Sequence, residues 1–155
     1  MAYEYKPNFK KRILATILDL TIYWLLYYLY LGFFGEATEN GGFAVWNFKT
    51  VPLFIIWFVY FVVIEGTNGA TLGHHAFNLK VLTVKRDKIG MTEALIRHVL
   101  DIIDIYWYGI PALIAIKYTE KHQRLGDLVA KTIVVDTEDL SQYNENKTPI
   151  FEKRV

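Results

Sequence analysis

The chain has 155 residues, of which 53% are hydrophobic and 16% aromatic, and its formal net charge is +1. This length fits one small domain, and the balanced charge excludes the basic excess that is typical of nucleic-acid-binding proteins. Cysteine is absent and Ser141 is the only serine, which excludes disulfide bonds, thiol nucleophiles, cysteine zinc sites and a buried serine nucleophile. The class that this composition favours is a small membrane protein.

Two apolar segments in the first half of the chain are predicted to cross a membrane. Ile13–Phe34 contains one charged residue, Asp19, and reaches about 33 Å as a helix, enough for a hydrocarbon core of about 30 Å. Because it is longer than the apolar region of a cleavable signal peptide, we expect a retained membrane helix. The second segment, Val45–Ile64, is also long enough to span, and Pro52 lies in its first turns, where proline is tolerated.

The third apolar stretch, Ile105–Ile116, is too short to cross a membrane alone. Extended back to Ala94 it gains length, but it then includes charged residues. Gly109 and Pro111 lie in its middle and predict a break in the helix. Two alternatives stay open: one tilted span, or two half-helices that enter and leave the membrane by the same face.

Positive charge predicts the orientation of these elements, because basic loops stay in the cytoplasm. Lys and Arg residues precede the first apolar segment, occupy the segment 66–97, and follow the third apolar stretch. We therefore expect the N-terminus, the middle segment and the C-terminus to be cytoplasmic. A single third crossing would place the C-terminus outside, so the charge pattern favours the re-entrant hairpin.

Two short segments rich in β-branched residues, Leu79–Val84 and Thr132–Thr137, are predicted strands. Since lone strands need a partner, we expect them to pair on one side of the membrane; the alternative is two unpaired extended segments. Residues 137–155 are polar and lack periodicity, so we predict a membrane domain over 1–136 and a flexible tail over 137–155. The predicted fold class is an all-α membrane protein with two transmembrane helices, a broken or re-entrant third helical element and a small cytoplasmic β element.

Charged residues in the apolar segments are the candidate functional residues, because an ionised carboxylate in hydrocarbon needs a partner, water or a proton. Arg12 and Asp19 are two helical turns apart on one face, and Arg97 shares a face with Asp101 and Asp104. We predict that the two helices meet through these faces, so that Asp19 and the Arg97 helix form one buried cluster. Three aspartates against two arginines leave one carboxylate to be protonated or bound to a cation. The alternative is a purely structural cluster that fixes helix packing.

Metal and cofactor sites are not expected from the sequence. The four histidines do not form HExxH or a comparable ligand spacing. The glycine-rich segment 66–73 lacks the Gly-Lys-Ser/Thr ending of a phosphate-binding loop. Without a nucleophile–base arrangement or a cofactor motif, we expect no enzymatic activity and no cofactor.

Four motifs, in order along the chain, resemble the RDD family of small bacterial membrane proteins, which is named for one arginine and two aspartates. The matching positions are Arg12 with Ala15 and Asp19; Gly69, Thr71 and Gly73 with Leu79–Val81; Arg97 with Asp104; and Arg124, Gly126 and Asp127 with Ala130, Thr132 and Val134. The chain departs from the family pattern at His74 (usually lysine), at Asn78 and Lys131 (usually glycine) and at Asp101 (often basic).

The resemblance implies a multi-pass protein of the bacterial cytoplasmic (inner) membrane, and it points to Arg12, Asp19, Asp104, Arg124 and Asp127 as functional positions. Some family members are thought to act in transport, including sodium–proton exchange, and others as partners in membrane complexes. Our leading hypothesis is a transport-related protein whose Asp and Arg residues bind or relay a cation or proton. The alternative is a non-transporting scaffold or subunit. In both hypotheses the partners are the lipid bilayer and a second copy or another membrane protein, without nucleic acid. Asp127 is predicted to be structural, capping a helix outside the hydrocarbon.

Overall fold

The computed structural model describes residues 6–39, 41–106 and 109–147. Helix α1 spans Phe9–Phe34 and ends where the N–H of Gly35 donates to the Leu31 carbonyl at 2.8 Å. Most of its large apolar side chains are exposed, as expected of a helix whose surroundings are lipid tails. A two-stranded ribbon of β1 (Glu36–Ala37) and β2 (Phe43–Ala44) follows α1.

Helix α2 runs from Asn47 to Asn68 and is, with α1, one of two helices in the described ranges that are long and apolar enough to span a membrane. The two predicted segments are therefore long apolar helices that qualify as spans, and the bounds of the second are shifted toward the C-terminus. Part of α2, Phe58–Val63, is a π-helix, and the buried side chains Tyr60, Phe61 and Val62 lie in it. A π segment changes the face on which the following residues lie, and such segments are frequent at functional sites.

Helix α3 (Leu72–Ala76) is a short turn that begins at Thr71, whose Oγ1 accepts the N–H of His74. The chain then forms strand β3 (Leu79–Thr83), which pairs antiparallel with β4 (Thr132–Asp136). The predicted pairing is therefore confirmed. Asn78 and Lys131, which stand at glycine positions of the resemblance, precede the two strands with positive φ angles of 57° and 54°. Both positions thus need the left-handed backbone that favours glycine.

Helices α4 (Met91–Tyr106) and α5 (Ile110–Tyr118) replace the predicted third element. The predicted break is confirmed at Gly109, which has φ +75° and donates its N–H to the Asp104 carbonyl at 2.6 Å. Trp107 and Tyr108 lie outside the described residues. The chain next forms α6 (Leu125–Val129), which packs against the first half of α4. Because α6 follows α5 and packs against the first half of α4, the chain has turned back on itself, and α4 and α5 form a hairpin.

The two faces of the β3–β4 sheet pack differently. Leu79, Val81 and Val134 form a core with Ala15 of α1 and Val62 of α2. The opposite face carries Leu82, Ile133 and Val135. The sheet is therefore attached directly to both candidate membrane helices.

The polar tail differs from its prediction, because Thr137–Lys147 forms helix α7. Three local features explain the helix: Asp136 accepts the N–H of Glu138 at 3.0 Å, Glu138 and Asp139 complement the N-terminal dipole, and Leu140 packs against the sheet. Hydrophobic periodicity detects none of these features. Residues 148–155 lie outside the described residues, and the predicted domain boundary stays a prediction.

Candidate functional site

Asp19 lies on α1 and is buried, with 3% of its surface exposed. Its carboxylate accepts hydrogen bonds from the Tyr60 hydroxyl at 2.8 Å, the Thr71 hydroxyl at 2.6 Å and the Gly73 N–H at 2.7 Å. The His74 Nδ1 atom is 3.5 Å from the same carboxylate. Asp19 is thus held by neutral donors and one imidazole, and we call these five residues the Asp19 cluster.

Two backbone features build the Asp19 cluster. A Cβ atom at position 73 would lie 2.3 Å from the Ala15 carbonyl oxygen and 2.6 Å from the Asp19 Cγ, so only glycine allows α3 to approach α1 this closely. The π segment of α2 carries Tyr60, whose hydroxyl reaches Asp19. The family-motif residues Thr71 and Gly73 therefore act on Asp19 directly. Gly69, the third of them, ends α2 with φ +75°, and its carbonyl accepts the Val81 N–H at 2.7 Å.

Asp127 of α6 joins the arginines of two other helices. Its Oδ2 accepts from Arg12 Nη2 at 2.6 Å and from the Arg124 N–H at 3.0 Å, while its Oδ1 pairs with Arg97 Nη1. Arg12 also donates to the His122 carbonyl at 2.6 Å. Asp127 has no exposed surface, and it caps α6 as predicted from its place in the sequence. The close packing depends on Gly126, where a Cβ would lie 2.8 Å from the Arg97 carbonyl oxygen.

A chain of alternating charges continues from Arg97 along α4. Arg97 Nε donates to Glu65 Oε1 at 2.8 Å, and His98 Nε2 lies 3.2 Å from the same oxygen. His98 Nδ1 is 2.8 Å from Asp101 Oδ2, and Arg124 Nη1 is 2.7 Å from Asp101 Oδ1. Each carboxylate of this chain therefore lies between two basic groups.

Asp104 is the exception on this helix face. Only 6% of its surface is exposed, and across the described ranges neither of its carboxylate oxygens has a hydrogen-bond partner. Arg124, Asp101 and Arg12 lie near enough to interact with it through their charges. We call the chain of Glu65, Arg97, His98, Asp101 and Arg124, with Asp104 at its end, the α4 charge chain.

The predicted contact between Asp19 and the Arg97 helix is wrong as a direct pair. Arg97 pairs with Glu65, Asp127 and Thr132. Asp19 has a separate set of partners, which are Tyr60, Thr71, Gly73 and His74. The physical reason is that Glu65, next to the second apolar run, lies closer to Arg97 and provides the opposite charge that we had expected from Asp19. Sequence analysis also missed Tyr60, His74 and His98. The one signal available in the sequence was the acid Glu65 at the end of the second apolar segment, and it pointed only to the ion pair with Arg97.

A cavity of about 600 Å³ connects the two groups of residues. Asp19 and His74 line it on one side, and His98, Asp101, Asp104 and Arg124 on the other. Apolar side chains of α1, α2 and α5 line the remainder. In the described part of the chain, no three His, Asp or Glu side chains are arranged to hold a metal ion. The cavity is therefore a mainly apolar space that carries a few charged side chains and opens between the helices.

Comparison with known proteins shows the family to which the chain belongs. The RDD family model matches residues 6–131. The chain is 28% identical over 133 residues to the uncharacterized membrane protein YteJ of Bacillus subtilis (strain 168), a match that covers 83% of this chain and 79% of YteJ. No solved structure gives a significant match. The family model covers most of the chain, and the four motifs fold into contacting groups, so the chain is a membrane protein of the RDD family.

Proposed function

We propose that this protein is transport-related and that Asp104 binds and releases a proton or other cation from the cavity. The observation that carries the proposal is the unpartnered carboxylate of Asp104 at the end of the α4 charge chain. A buried carboxylate without a partner is costly when ionised, so it is expected to take up a proton or a cation. The closed ion pairs elsewhere in the site have no such requirement.

The balance of buried charge supports this assignment. Within the described residues of the site, five carboxylates (Asp19, Glu65, Asp101, Asp104 and Asp127) face three guanidinium groups (Arg12, Arg97 and Arg124). A protonated His98 would neutralise a fourth carboxylate, because both ring nitrogens face acids. One negative charge is then left without a basic partner, and neutral donors satisfy it at Asp19. Asp104 is the carboxylate of this set that accepts no hydrogen bond among the described residues.

His98 provides a route for protons beyond Asp104. An imidazole accepts a proton on one ring nitrogen and releases one from the other, and here the two nitrogens face Asp101 and Glu65. Asp101 is one helical turn from Asp104. We infer a relay from the cavity through Asp104, Asp101 and His98 toward Glu65. Exchange of a proton for sodium is the form of transport that the family resemblance favours.

The proposed orientation places both chain ends in the cytoplasm of a bacterial cell, with α4 and α5 as a re-entrant hairpin. Two ion pairs support it: Lys6 Nζ lies 2.8 Å from Asp139 Oδ1, and Lys11 pairs with Asp136. Segments in contact lie on one side of a membrane, and two spans return the chain to that side. A reporter that fluoresces only in the cytoplasm, fused after Val155, should be bright. A dark fusion at normal expression would contradict the hairpin.

Flux measurement tests the transport proposal. Purified protein in proteoliposomes should move protons or sodium down an imposed gradient, and Asp104→Asn should abolish the flux without lowering the melting temperature. The matched control is Asp87→Asn, which removes an exposed acid far along the chain from the site and should leave the flux unchanged. Full flux in Asp104→Asn would overturn the assignment.

A non-transporting scaffold or subunit is the second candidate, and the closed contacts of Asp127 with Arg12 and Arg97 favour it. Three helices are joined by one buried carboxylate, as expected of a purely structural lock. Under this hypothesis the exposed aromatic face of α1 contacts a second copy or another membrane protein. Absence of flux in the wild type would select the scaffold. Neither candidate involves catalysis.

A further inference from the structure

The cavity is long and runs parallel to α1. Its lining on this helix forms one face, from Arg12 in the first turn to Trp24 past the middle. At about 1.5 Å per residue these two residues are about 18 Å apart along the axis. A volume of about 600 Å³ is in the range of sites for small organic ligands.

The polar part of the cavity includes a carboxylate and a guanidinium group with atoms that make no hydrogen bond to a described residue. The carboxylate oxygens of Asp104 and the Nη2 atom of Arg124 are buried without a hydrogen-bond partner among the residues described. Both residues line the cavity. The Asp104 carboxylate can accept from a cationic donor, and Arg124, whose Nη1 already pairs with Asp101, can still donate from Nη2 to an anion such as phosphate. The complementary ligand is therefore zwitterionic.

The remaining lining is apolar and is reached from the bilayer. Ile17, Trp24 and Leu113 are 55%, 48% and 42% exposed, and all three line the cavity. Ile17 and Trp24 lie on a candidate membrane helix, where such exposure is toward lipid tails. A ligand that satisfies both parts carries a charged head at one end and a hydrocarbon chain at the other.

We propose that the cavity binds a phospholipid whose head group carries a phosphate and a primary ammonium, as in phosphatidylethanolamine. The ammonium donates to Asp104, the phosphate accepts from Arg124, and one acyl chain lies along α1. This inference goes beyond the proposed function, although the two share Asp104: a carboxylate that takes a proton when empty takes an ammonium when the lipid is bound. Choline head groups have no N–H to donate, and glycerol head groups have no positive charge.

Native mass spectrometry of the purified chain tests the proposal with three lipids of identical acyl chains: phosphatidylethanolamine, phosphatidylcholine and phosphatidylglycerol. The wild type should retain the ethanolamine lipid about tenfold more than either of the others, the size of one charge-assisted hydrogen bond. Asp104→Asn should abolish this preference, and Asp87→Asn should keep it. Equal retention of the three lipids by the wild type would overturn the inference, as would an unchanged preference in Asp104→Asn.

A second variant tests the apolar part without changing any charge. Ala112 lines the cavity on α5, whereas Ala115 of the same helix does not. Ala112→Trp should exclude the acyl chain and reduce retention of the ethanolamine lipid about tenfold, and Ala115→Trp should not. Lipid bound equally by both variants would contradict the location.

These measurements need no ion gradient, so the two proposals fail separately. A wild type that selects the ethanolamine lipid but moves no ion overturns only the transport proposal. Flux without lipid selectivity overturns only this inference.

Discussion

The Asp19 cluster and the Asp104 end of the α4 charge chain each contain a buried carboxylate, and they differ in whether that carboxylate has hydrogen-bond partners. Asp19 accepts three hydrogen bonds from neutral groups on two other parts of the chain, so its charge is satisfied without an arginine. Asp104 interacts with nearby arginines through charge, but its carboxylate has no hydrogen-bond partner among the described residues. The difference separates a carboxylate that holds helices together from one that is available to a ligand.

The largest expected loss of stability comes from the substitution of Arg97. Arg97→Ala should lower stability by about 3–5 kcal/mol, because it leaves Glu65 and Asp127 buried without their partner. In a double-mutant cycle, Glu65→Gln should recover part of this loss, with a coupling of about 0.5–3 kcal/mol. Unfolding in detergent measures the cycle.

The same cycle with Asp19→Asn is the matched control. Since Asp19 and Arg97 share no contact, the two effects should add within about 0.5 kcal/mol. Strong coupling between Asp19 and Arg97, together with none between Glu65 and Arg97, would mean that the two sites are one cluster after all.

Asp19→Asn should be the next largest change and should lower stability by about 1–3 kcal/mol. The substitution replaces an acceptor of three hydrogen bonds by an amide that presents two N–H groups toward other donors. Melting temperature in detergent measures the loss, and Tyr60→Phe should reproduce a smaller part of it. An unchanged melting temperature in Asp19→Asn would show that this carboxylate is not a structural contact.

A smaller loss of stability is expected when the pH is lowered, because His74 is buried. Burial lowers the pKa of the His74 imidazole below its usual range, although the hydrogen bond with Asp19 acts in the opposite direction. Protonation of His74 is therefore less favourable in the folded state than in the unfolded state. The neutral imidazole contributes stability above a pH of about 6.5, and this contribution is lost as the pH falls below that value. The melting temperature of the wild type should fall more between pH 7.5 and 5.5 than that of His74→Gln. Exposed His75 provides the control variant His75→Gln, which should behave like the wild type.

The smallest change should come from Asp104→Asn. Removing a charge that has no contact should leave the melting temperature unchanged or raise it slightly, by up to about 0.5 kcal/mol in stability. The stability is thus expected to stay the same or rise in Asp104→Asn, whereas it is expected to fall in Asp19→Asn. A clear loss of stability in Asp104→Asn would show that Asp104 has a structural partner, and the contrast between the two sites would disappear.

Sequence reasoning predicted the parts of this molecule that depend on local pattern. The two spans follow from uninterrupted apolar runs, the β3–β4 pair from two short β-branched segments, and the helix break from Gly109. The face shared by Arg97, Asp101 and Asp104 follows from helical spacing alone. Asp127 was placed at a helix end, and the structure adds that two arginines from other helices meet there.

The partners of Asp19 could not be predicted in the same way, because they come from distant parts of the chain. Thr71 and Gly73 are 52 and 54 residues from Asp19 and are ordinary residues of a turn when read alone. Tyr60 lies in an apolar run, where neither its depth nor the π segment leaves a trace in the hydrophobic pattern. The wrong pairing of Asp19 with Arg97 arose because charge was matched against charge, whereas the donors that reach Asp19 are neutral groups.

The contact between Arg12 and Asp127 has a consequence for biosynthesis. The two residues are 115 positions apart, and synthesis proceeds at about 5–20 residues per second. Arg12 is therefore synthesised roughly 6–23 s before its carboxylate partner. Through this interval the start of α1 stays at the aqueous surface, where water solvates the guanidinium. The helices can close around the cavity only after α6 has emerged, so a segment synthesised late completes the assembly of the segment synthesised first.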